Sequence, residues 1–589
     1  MHTIFLILIA FSSNVSAAIS KTPGDVYAVL QQARVEVEIL RQQSKVKRSW
    51  PVIKTVTKPY PRHVLMKCDE VLVKLNRLRK IKRMGEVTIP VYPSRNITPD
   101  DVYDMSVRML KELRIVTGSS KSQRRITSIG PESKIKYEMN YQLLSEISRA
   151  LDPVLGIEGF TPADVHALTG RVVANALFLR TSQNLPEPVE EPDFDMRRKR
   201  HPNHALMEVY ETLSQVSQLE RNLWMEPCEV PKLKSRKIGP NEVYDAVLTV
   251  MAELQRIKYR LGLEYRTKTP KTESGKTPND VIYNLKVAQI LLPPFDGTTP
   301  LQQHNPEALQ KKPADVFIVA ERITKELEQD RKIEGITLVP RKAPLLEGNQ
   351  PKHIYQKTLE CLEKVNRLRK QTGFFPTAIG DYPLREITLS KVYELVVRLD
   401  DEFDLLQKAQ HGRPHKLETD QDSFIGEKTH DDVYQKIWQV SFLLDTIIGP
   451  EGYSPVDVYR EAQRIIAEVK LLQEYLNVDP HVKEPPFQPG KTSGDVIIIA
   501  QIIINLIGDI QRWANMKRTA KSSEMELTDV TPNEVYNEVG IILSEIISLK
   551  IHLNLFKIVE EEETPSHVYQ KMVYAHRLLQ TLFKKSDYE

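Results

Sequence analysis

The chain has 589 residues, of which 41% are hydrophobic and 27% charged, with few glycines (23) and many prolines (38). This is an ordinary globular composition with ample material for a core. The 82 basic and 78 acidic residues leave a net charge of +4, which is too balanced for nucleic acid to be a main partner.

The first 18 residues are typical of a secretory signal peptide. An apolar run, Thr3 to Phe11, is followed by small residues up to Ala17 and Ala18, and the run is too short to span a membrane. The segment departs from the usual pattern because no Lys or Arg precedes the run. We expect export with cleavage after Ala17 or Ala18; an uncleaved N-terminal anchor is the alternative.

A hexapeptide close to Thr-Pro-x-Asp-Val-Tyr recurs through the rest of the chain, mostly at intervals of 33 to 41 residues. A repeat of this period is typical of helical repeat architectures. Clear copies begin at Thr22, Thr98, Thr161, Gly239, Thr277, Lys312, Thr429, Ser454, Thr531 and Thr564, looser copies at Tyr60, His201, Gln350, Thr388 and Thr492, and a degenerate copy lies near Glu132. The sequence therefore predicts sixteen repeats.

Each position of the hexapeptide suits the start of a helix. Thr or Ser caps the first turn, and Pro follows where its missing N–H has no cost. A Glu three residues after the cap completes a capping box, whereas the shorter Asp is expected to act mainly through its charge. Val comes next and forms a hydrophobic staple with the residue before the cap, as Val102 does with Ile97. The predicted capping residues are Thr22, Asp25, Thr98, Asp101, Thr161, Asp164, Thr277, Asp280, Ser454, Asp457, Thr531 and Glu534.

Apolar residues follow each Val with alternating spacings of four and three. The stripe is unbroken at Val243, Val247, Val250, Leu254, Ile257 and Leu261. Such a seam belongs to helices packed at shallow angles, and each seam is too short for a long coiled coil. We predict an all-α fold of sixteen repeats of about 38 residues packed as successive helical bundles.

Some segments recur at a much longer interval, which indicates a duplication of eight repeats. Residues 74–80 and 92–98 match residues 364–370 and 382–388 at an offset of 290, and residues 156–162 match 449–455 at an offset of 293. We place the first half at 19–295 and the second at 296–589, with the join near Pro293 to Lys312.

The connections differ in length. Gly156–Phe160 and Gly449–Tyr453 are short loops, which predicts antiparallel neighbours. Most other loops have about 14 to 20 residues, enough to run the length of a helix and cover its apolar seam. The sequence leaves the direction of helices across these long loops open, and we favour antiparallel four-helix bundles.

Nine repeats carry Tyr after the Val, or after Ile354 in one of them. A regular array of aromatics could stack sugars or peptides, but packing against a neighbouring helix or loop is the simpler interpretation. These possible binding aromatics are Tyr27, Tyr103, Tyr244, Tyr355, Tyr393, Tyr434, Tyr459, Tyr536 and Tyr569.

No metal or cofactor site is predicted. Four His replace the acid of the cap, at His63, His204, His353 and His567, but each starts a different helix, so we expect each to accept a first-turn hydrogen bond. The pairs His201/His204 and His411/His415 lack an evident third ligand. Cys68, Cys228 and Cys361 are expected to be buried or free thiols, with one chance bridge as the alternative.

Two further segments are unusual. The loop 184–201 places several acidic residues before Arg197-Arg-Lys-Arg200; it could bind phosphates or lipid head groups or be a protease site, but a self-neutralised, solvated loop is favoured. The run 496–507 is strongly apolar but too short to span a bilayer, and we favour a bundle centre over a docking face.

No catalytic motif is present, so we expect a protein that is not an enzyme. The favoured function is an exported, periplasmic or secreted helical-repeat scaffold or adaptor of a cell envelope that binds other envelope proteins. Membrane contact is possible without spanning. The alternative is a periplasmic or secreted binding protein for a glycan or peptide.

Overall fold

The protein is described by a computed structural model. It covers residues 21–555 with internal gaps, and Gln580 beyond them. The gaps are 54–57, 91, 94, 120–134, 187, 189–190, 234–237, 265–266, 268–271, 295–308, 381, 413–425, 450–451, 479–481, 520–529 and 554. The predicted signal peptide, the degenerate copy near Glu132, and the predicted last repeat with Thr564, His567 and Tyr569 therefore lie outside the described residues.

The prediction of an all-helical repeat is confirmed for this part of the chain, which contains fifteen helices of similar length and no strands. They are α1 Pro23–Gln43, α2 Pro61–Ile81, α3 Pro99–Thr117, α4 Tyr137–Leu151, α5 Pro162–Ser182, α6 Pro202–Asn222, α7 Pro240–Arg260, α8 Pro278–Leu291, α9 Pro313–Ile333, α10 Pro351–Gln371, α11 Leu389–His411, α12 His430–Ile448, α13 Pro455–Tyr475, α14 Ser493–Trp513 and α15 Pro532–His552.

The helices pack in groups of four within two compact units, Lys21–Gln310 and Lys311 onward. In the first bundle, α1 and α2 each pack against α3 and α4. The second bundle (α5–α8) and the third (α9–α12) repeat this arrangement. The fourth has three described helices, with α15 packed against α13 and α14. Two contacts join bundles within a unit: α2 with α7, and α10 with α15.

The helices of a bundle run parallel, so the antiparallel bundles that we favoured from the sequence are wrong. At the starts of α1 and α3, the backbone N–H of Lys21 donates to Asp100 at 3.1 Å; at their ends, Gln43 donates to the carbonyl oxygen of Thr117 at 3.2 Å. The contacts between α2 and α3, between α6 and α7, and between α9 and α11 likewise join residues at corresponding positions along the two helices.

Parallel packing is possible because the long loops return along the bundle. After α2, the chain turns back so that Val87 exchanges two backbone bonds with the Asn76 side chain, at 2.7 and 2.9 Å. Thr88 then accepts from Arg108 of α3. Tyr92, further along the loop, is buried. The prediction that long loops lie along helices is confirmed for this segment.

The two bundles of a unit point in opposite directions. His63, at the start of α2, contacts Glu253 late in α7, whereas Lys67, one turn further along α2, contacts Asp245 early in α7. The short loop 156–160 makes this reversal. Its two helices are antiparallel as predicted, but they pack in different bundles rather than against each other.

The most apolar helix, α14, contributes largely to the core of the fourth bundle. Ile497, Ile503, Ile504 and Ile507 are fully buried, whereas Ile498 is 43% exposed. Among the described helices, α14 alone has the length and composition to cross a membrane, and 44% of its most apolar window is buried. Core helices pass the same test, so this is weak evidence for a membrane span.

Candidate functional site at the bundle junctions

The predicted capping residues lie at six helix starts, those of α1, α3, α5, α8, α13 and α15. In every case the carboxylate three residues on accepts the N–H of the cap residue at 2.7 to 2.8 Å. The side chain of Asp therefore reaches the cap backbone, and the expectation that Asp acts mainly through its charge is wrong. These residues set the helix starts.

The tyrosines that the structure describes are spread over different helix starts. Tyr27 and Tyr103 are half-buried against the core, and Tyr393 lies under the ammonium of Lys311 at 4.2 Å. Tyr355 packs edge-on to Tyr382. Four are buried, namely Tyr244, Tyr434, Tyr459 and Tyr536. They form no continuous ladder for a sugar or peptide.

The junction between the first two bundles centres on a buried imidazole. Nδ1 of His63 accepts the backbone N–H of Tyr60 at 3.0 Å, so the proton of the neutral ring is on Nε2, which lies 2.6 Å from Oε1 of Glu253. Burial lowers the pKa of His63, and the bond to Glu253 offsets this only in part. The ring therefore caps α2 and holds α7 at the same time.

Glu253 is surrounded by further buried polar groups. Arg62 donates to it at 2.9 Å, and Arg256 bridges it to Glu220. Burial, together with the charge of Glu253, raises the pKa of Glu220 to about 8. The backbone N–H of Cys228 donates to the second oxygen of Glu220 at 2.7 Å. Burial beside Glu253 thus favours the protonated form of the Glu220 carboxyl.

The second unit builds an equivalent junction. Nδ1 of His353 accepts the N–H of Gln350 at 3.2 Å, and Nε2 lies 2.6 Å from Glu545. Burial alone would raise the pKa of Glu545, but His353 and Lys352 outweigh it and lower this pKa to about 2. Gln511 takes the place of the second carboxyl and donates to Glu545. The histidines thus accept first-turn bonds, as we expected.

The repeated segment 74–80 supplies four polar side chains, of which three make contacts within the first bundle. The ammonium of Lys74, fully buried, donates to Asp152 at 2.5 Å and to the carbonyl oxygen of Ser148. Asn76 holds the return loop, and Arg79 donates to the carbonyl oxygen of Gly85 at 2.8 Å. These contacts explain why charged residues lie on the inner side of a helix.

The remaining side chain, Arg77, reaches into the second bundle. It pairs with the capping carboxylate of Asp164 at 2.5 Å and lies over the ring of Phe160. Phe160 is stacked on Tyr244 of α7, with ring centroids 3.8 Å apart. Its backbone N–H donates to Asn241 at 2.7 Å. The short loop is therefore clamped to the start of α7.

The second unit repeats this clamp with equivalent residues. Arg367 pairs with Asp457 at 2.9 Å and lies over Tyr453, which is stacked on Tyr536 at 3.7 Å. The N–H of Tyr453 donates to Asn533 at 2.7 Å. The structure thus gives both copies of the repeated sequence the same task of fixing two bundles together.

The described residues contain no group of three or more potential metal ligands. The prediction that the protein has no metal site remains a prediction. His201 and His204 stack at 6.0 Å, and His411 faces Asp330 and Glu334; its predicted companion at 415 lies outside the described residues.

The cysteines are all buried and free. Burial raises the pKa of Cys68 and of Cys361 to about 12, which disfavours the reactive thiolate.

The basic run is partly ordered by neighbouring residues. Asn279 of α8 donates to the carbonyl oxygens of Met196 and Arg198 at 2.7 and 3.0 Å. Arg197 to Lys199 are exposed, and their side chains form no ion pair with the described acidic residues at 191, 193 and 195. Self-neutralisation within the described part of this loop is therefore not seen.

No protein-family model matches the sequence, and no curated protein or solved structure is significantly similar to it. Sequence reasoning missed the buried junction because its partners, such as His63 and Glu253, are 190 residues apart. The only available signal was the position of charged residues within an otherwise apolar helix face.

Proposed function

We propose that the protein is a non-enzymatic scaffold that holds partner proteins of the cell envelope. The proposal is supported by the partners that its buried polar groups bind. At the two junctions these groups bind one another and fix neighbouring bundles in place, which is the property a rigid binding platform needs. Repeat architectures of this kind generally act by presenting extended surfaces to partners.

Trp224, just after α6, supports partner binding most directly. Its side chain is 88% exposed, and its backbone has a φ of 56°, the left-handed region. Gly262, Gly335 and Gly373 occupy this position in other repeats. A bulky residue here costs about 1 kcal/mol relative to Gly. An exposed Trp retained at such a cost is a candidate anchor for a protein partner.

The test is crosslinking in cells with the tagged mature protein, followed by mass spectrometry of captured proteins. Trp224→Gly should fold at least as well as the natural chain yet capture less of its partner. Lys45→Gly is the matched control, since Lys45 is also exposed with a φ of 54°. A stoichiometric set of envelope proteins lost only in Trp224→Gly supports the scaffold; capture of none contradicts it.

The alternative, binding of a glycan or peptide between bundles, has less support. Such a binding site requires several of the nine tyrosines to line one cleft. The tyrosines that the structure describes lie at separate helix starts. Tyr434 and Tyr536 are the exception, because both line a small cleft in the second unit.

We also propose the finer architecture of sixteen helices in two duplicated halves. The equivalent contacts at offsets of 290 to 293 residues support duplication. The last repeat, beginning at Thr564, would be the fourth helix of the fourth bundle. Truncation after residue 556 should lower the unfolding temperature and expose apolar surface to a hydrophobic dye; an unchanged protein would contradict this proposal.

Export to the periplasm or medium remains part of the proposal, supported by the apolar run and small residues at the N-terminus. Sequencing the N-terminus of protein purified from the native host tests it. A mature chain beginning at Ala18 or Ile19 is expected, whereas an intact Met1 would favour the uncleaved anchor.

A further inference from the structure

A group of exposed basic side chains lies at one end of the first bundle, where α1 and α2 finish. Two of them follow α1, and three lie at or just after the last turn of α2. Among the described residues, no ion pair involves any of these side chains. We call this group the basic end; it consists of Lys47, Arg48, Lys80, Lys82 and Arg83.

Contacts with α3 bring the two parts of the basic end together. The ammonium of Lys82 donates to the carbonyl oxygen of Val116, near the end of α3, at 2.9 Å. At the end of α1, Gln43 donates to the carbonyl oxygen of the next residue of α3 at 3.2 Å. The carbonyl oxygen of Arg48 accepts a hydrogen bond from Arg41, which keeps the chain after α1 at the same end. The basic side chains of both segments therefore form one surface.

The fold does not require these charges, because the second unit lacks most of them. Basic residues near helix ends are favoured by the negative end of the helix dipole. The third bundle has an equivalent set of helices, yet at an offset of 290 residues it retains only one basic residue of the five. The corresponding residues are Thr337, Leu338, Lys370, Thr372 and Gly373.

Arg83 shows the same point in its backbone. It has a φ of 55°, in the left-handed region, whereas Gly373 has the corresponding position in the second unit with a φ of 81°. A residue with a side chain is less favourable than Gly in this conformation. Since Arg83 is exposed, the property that it adds here is a positive charge on the surface.

The charges around the basic end do not reverse its sign. Glu86 and Glu158 are exposed acidic residues at this end of the first bundle, and the five basic side chains outnumber them. The second bundle begins at the same end, since Arg149 late in α4 pairs with Glu242 at the start of α7 at 3.4 Å. The basic run 197–200, which precedes α6, therefore faces the same side, together with the acidic residues at 191, 193 and 195.

An exposed apolar side chain lies among the basic ones. Ile81 stands between Lys80 and Lys82 and is 62% exposed. Basic side chains around an apolar one suit the surface of an anionic membrane, because the charges bind head groups while the apolar group enters the interface. A soluble polyanion would gain nothing from Ile81.

We propose that the basic end binds a membrane surface that contains anionic phospholipids, through their phosphate groups. The contact is made by helix ends, so the helices of the first unit stand on the membrane and do not enter its hydrocarbon core. This attachment goes beyond the proposed scaffold function, which requires no contact with lipid. The two proposals can therefore fail separately.

The test is flotation of the purified protein with vesicles in a density gradient. Vesicles of equal parts phosphatidylglycerol and phosphatidylcholine should bind the protein at least tenfold more tightly than vesicles of phosphatidylcholine alone. Sodium chloride should release it, since salt screens the attraction. Equal binding to both kinds of vesicle, or binding to neither, would overturn the proposal. Binding of soluble polyglutamate without binding to vesicles would also overturn it, in favour of an acidic protein segment.

A triple variant locates the contact. Lys47→Thr, Lys82→Thr and Arg83→Gly together give these positions the residues of the second unit. This variant should keep the unfolding temperature of the natural chain and bind the anionic vesicles at least tenfold more weakly. Arg48→Gln with Lys80→Gln covers the case in which the triple variant does not fold. Unaltered binding by a folded variant would exclude the basic end.

The control removes the same net charge from the corresponding end of the second unit. It combines Lys332→Gln, Lys370→Gln and Lys408→Gln, whose lysines are exposed and lie late in α9, α10 and α11. The control should bind anionic vesicles as the natural chain does. Equal weakening by the two triple variants would show a response to net charge alone and would overturn the proposal.

Discussion

His63 and Glu253 join two helices that run in opposite directions, through one hydrogen bond of 2.6 Å between Nε2 and Oε1. The other ring nitrogen accepts a backbone N–H at the start of α2. A second proton on the ring would therefore face a donor and break the cap. The neutral ring is the form that the junction requires.

Stability should fall on acidification through the pKa of free histidine. Burial lowers the folded-state pKa of His63 below its unfolded value of about 6.5. The unfolded chain therefore binds the proton more readily, and the contribution of His63, complete above about pH 6.5, is lost as the pH falls towards the folded pKa. Arg62, Arg256, Glu253, Glu220 and Tyr92 are among the charged or titratable groups close to this junction.

The measurement is urea denaturation between pH 5 and 8. His63→Gln, which has no titrating ring, should be less stable than the natural chain at pH 8 and should show a shallower loss of stability between pH 7 and 5. His204→Gln is the control, because His204 makes the same cap bond on an exposed helix start. Identical pH profiles for His63→Gln and the natural chain would contradict the role assigned to the ring.

Glu220→Gln should stabilise the protein at alkaline pH. The pKa of Glu220 is raised to about 8 by burial and by Glu253. The folded state thus retains a proton that the unfolded chain loses above about pH 4.5, and stability decreases as the pH rises to 8. An amide imitates the protonated carboxyl, so the difference between variant and natural chain should grow from pH 5 to pH 9. A constant difference would show that Glu220 is ionised throughout.

Gly159→Ala should destabilise the first unit much more than Gly156→Ala. Both glycines have positive φ, 131° and 69°, but a Cβ on Gly159 would collide with the Asn241 side chain, whereas one on Gly156 meets open space. Gly156→Ala should cost about 1–2 kcal/mol, the usual cost of the left-handed conformation. Gly159→Ala should exceed it because the clamp on α7 must also shift. Thermal unfolding of both variants provides the comparison.

Asn76→Ala should loosen the return loop after α2. Two bonds with Val87 are lost, and the backbone groups of Val87 are left without partners, at a cost of about 1–3 kcal/mol. Asn366→Ala, which breaks the equivalent bonds to Thr377, should behave alike in the second unit. Hydrogen exchange at the Val87 and Thr377 amides is the direct readout. Unchanged protection would mean that other contacts hold the loop.

The helix-start model predicts a graded response at α3. Thr98→Ala should cost about 0.5–2 kcal/mol because it removes an exposed cap. Val102 is fully buried, so Val102→Ala should cost more, about 1.5–3 kcal/mol. Equal and negligible effects at both positions, measured by denaturant unfolding, would count against capping as the determinant of this helix start.

The helix starts could be predicted from sequence because capping is local: Thr98 and Asp101 are three residues apart and need no other part of the chain. Helix direction could not, since it depends on where a loop lies, and the Asn76 to Val87 contact shows no distinctive sequence pattern. The junction was hidden for a different reason. Its ion pairs join residues such as Arg77 and Asp164, 87 positions apart, that look like ordinary surface charges.

Parallel packing within each bundle has an electrostatic consequence. Peptide dipoles along four parallel helices add instead of cancelling, so each bundle has a positive and a negative pole. The contact of α2 with α7 places two such bundles side by side and pointing in opposite directions, so their dipoles oppose each other. A pair of bundles is therefore the smallest module without a large net dipole. On the duplication proposed above, this pair, eight helices rather than four, is the block that was copied.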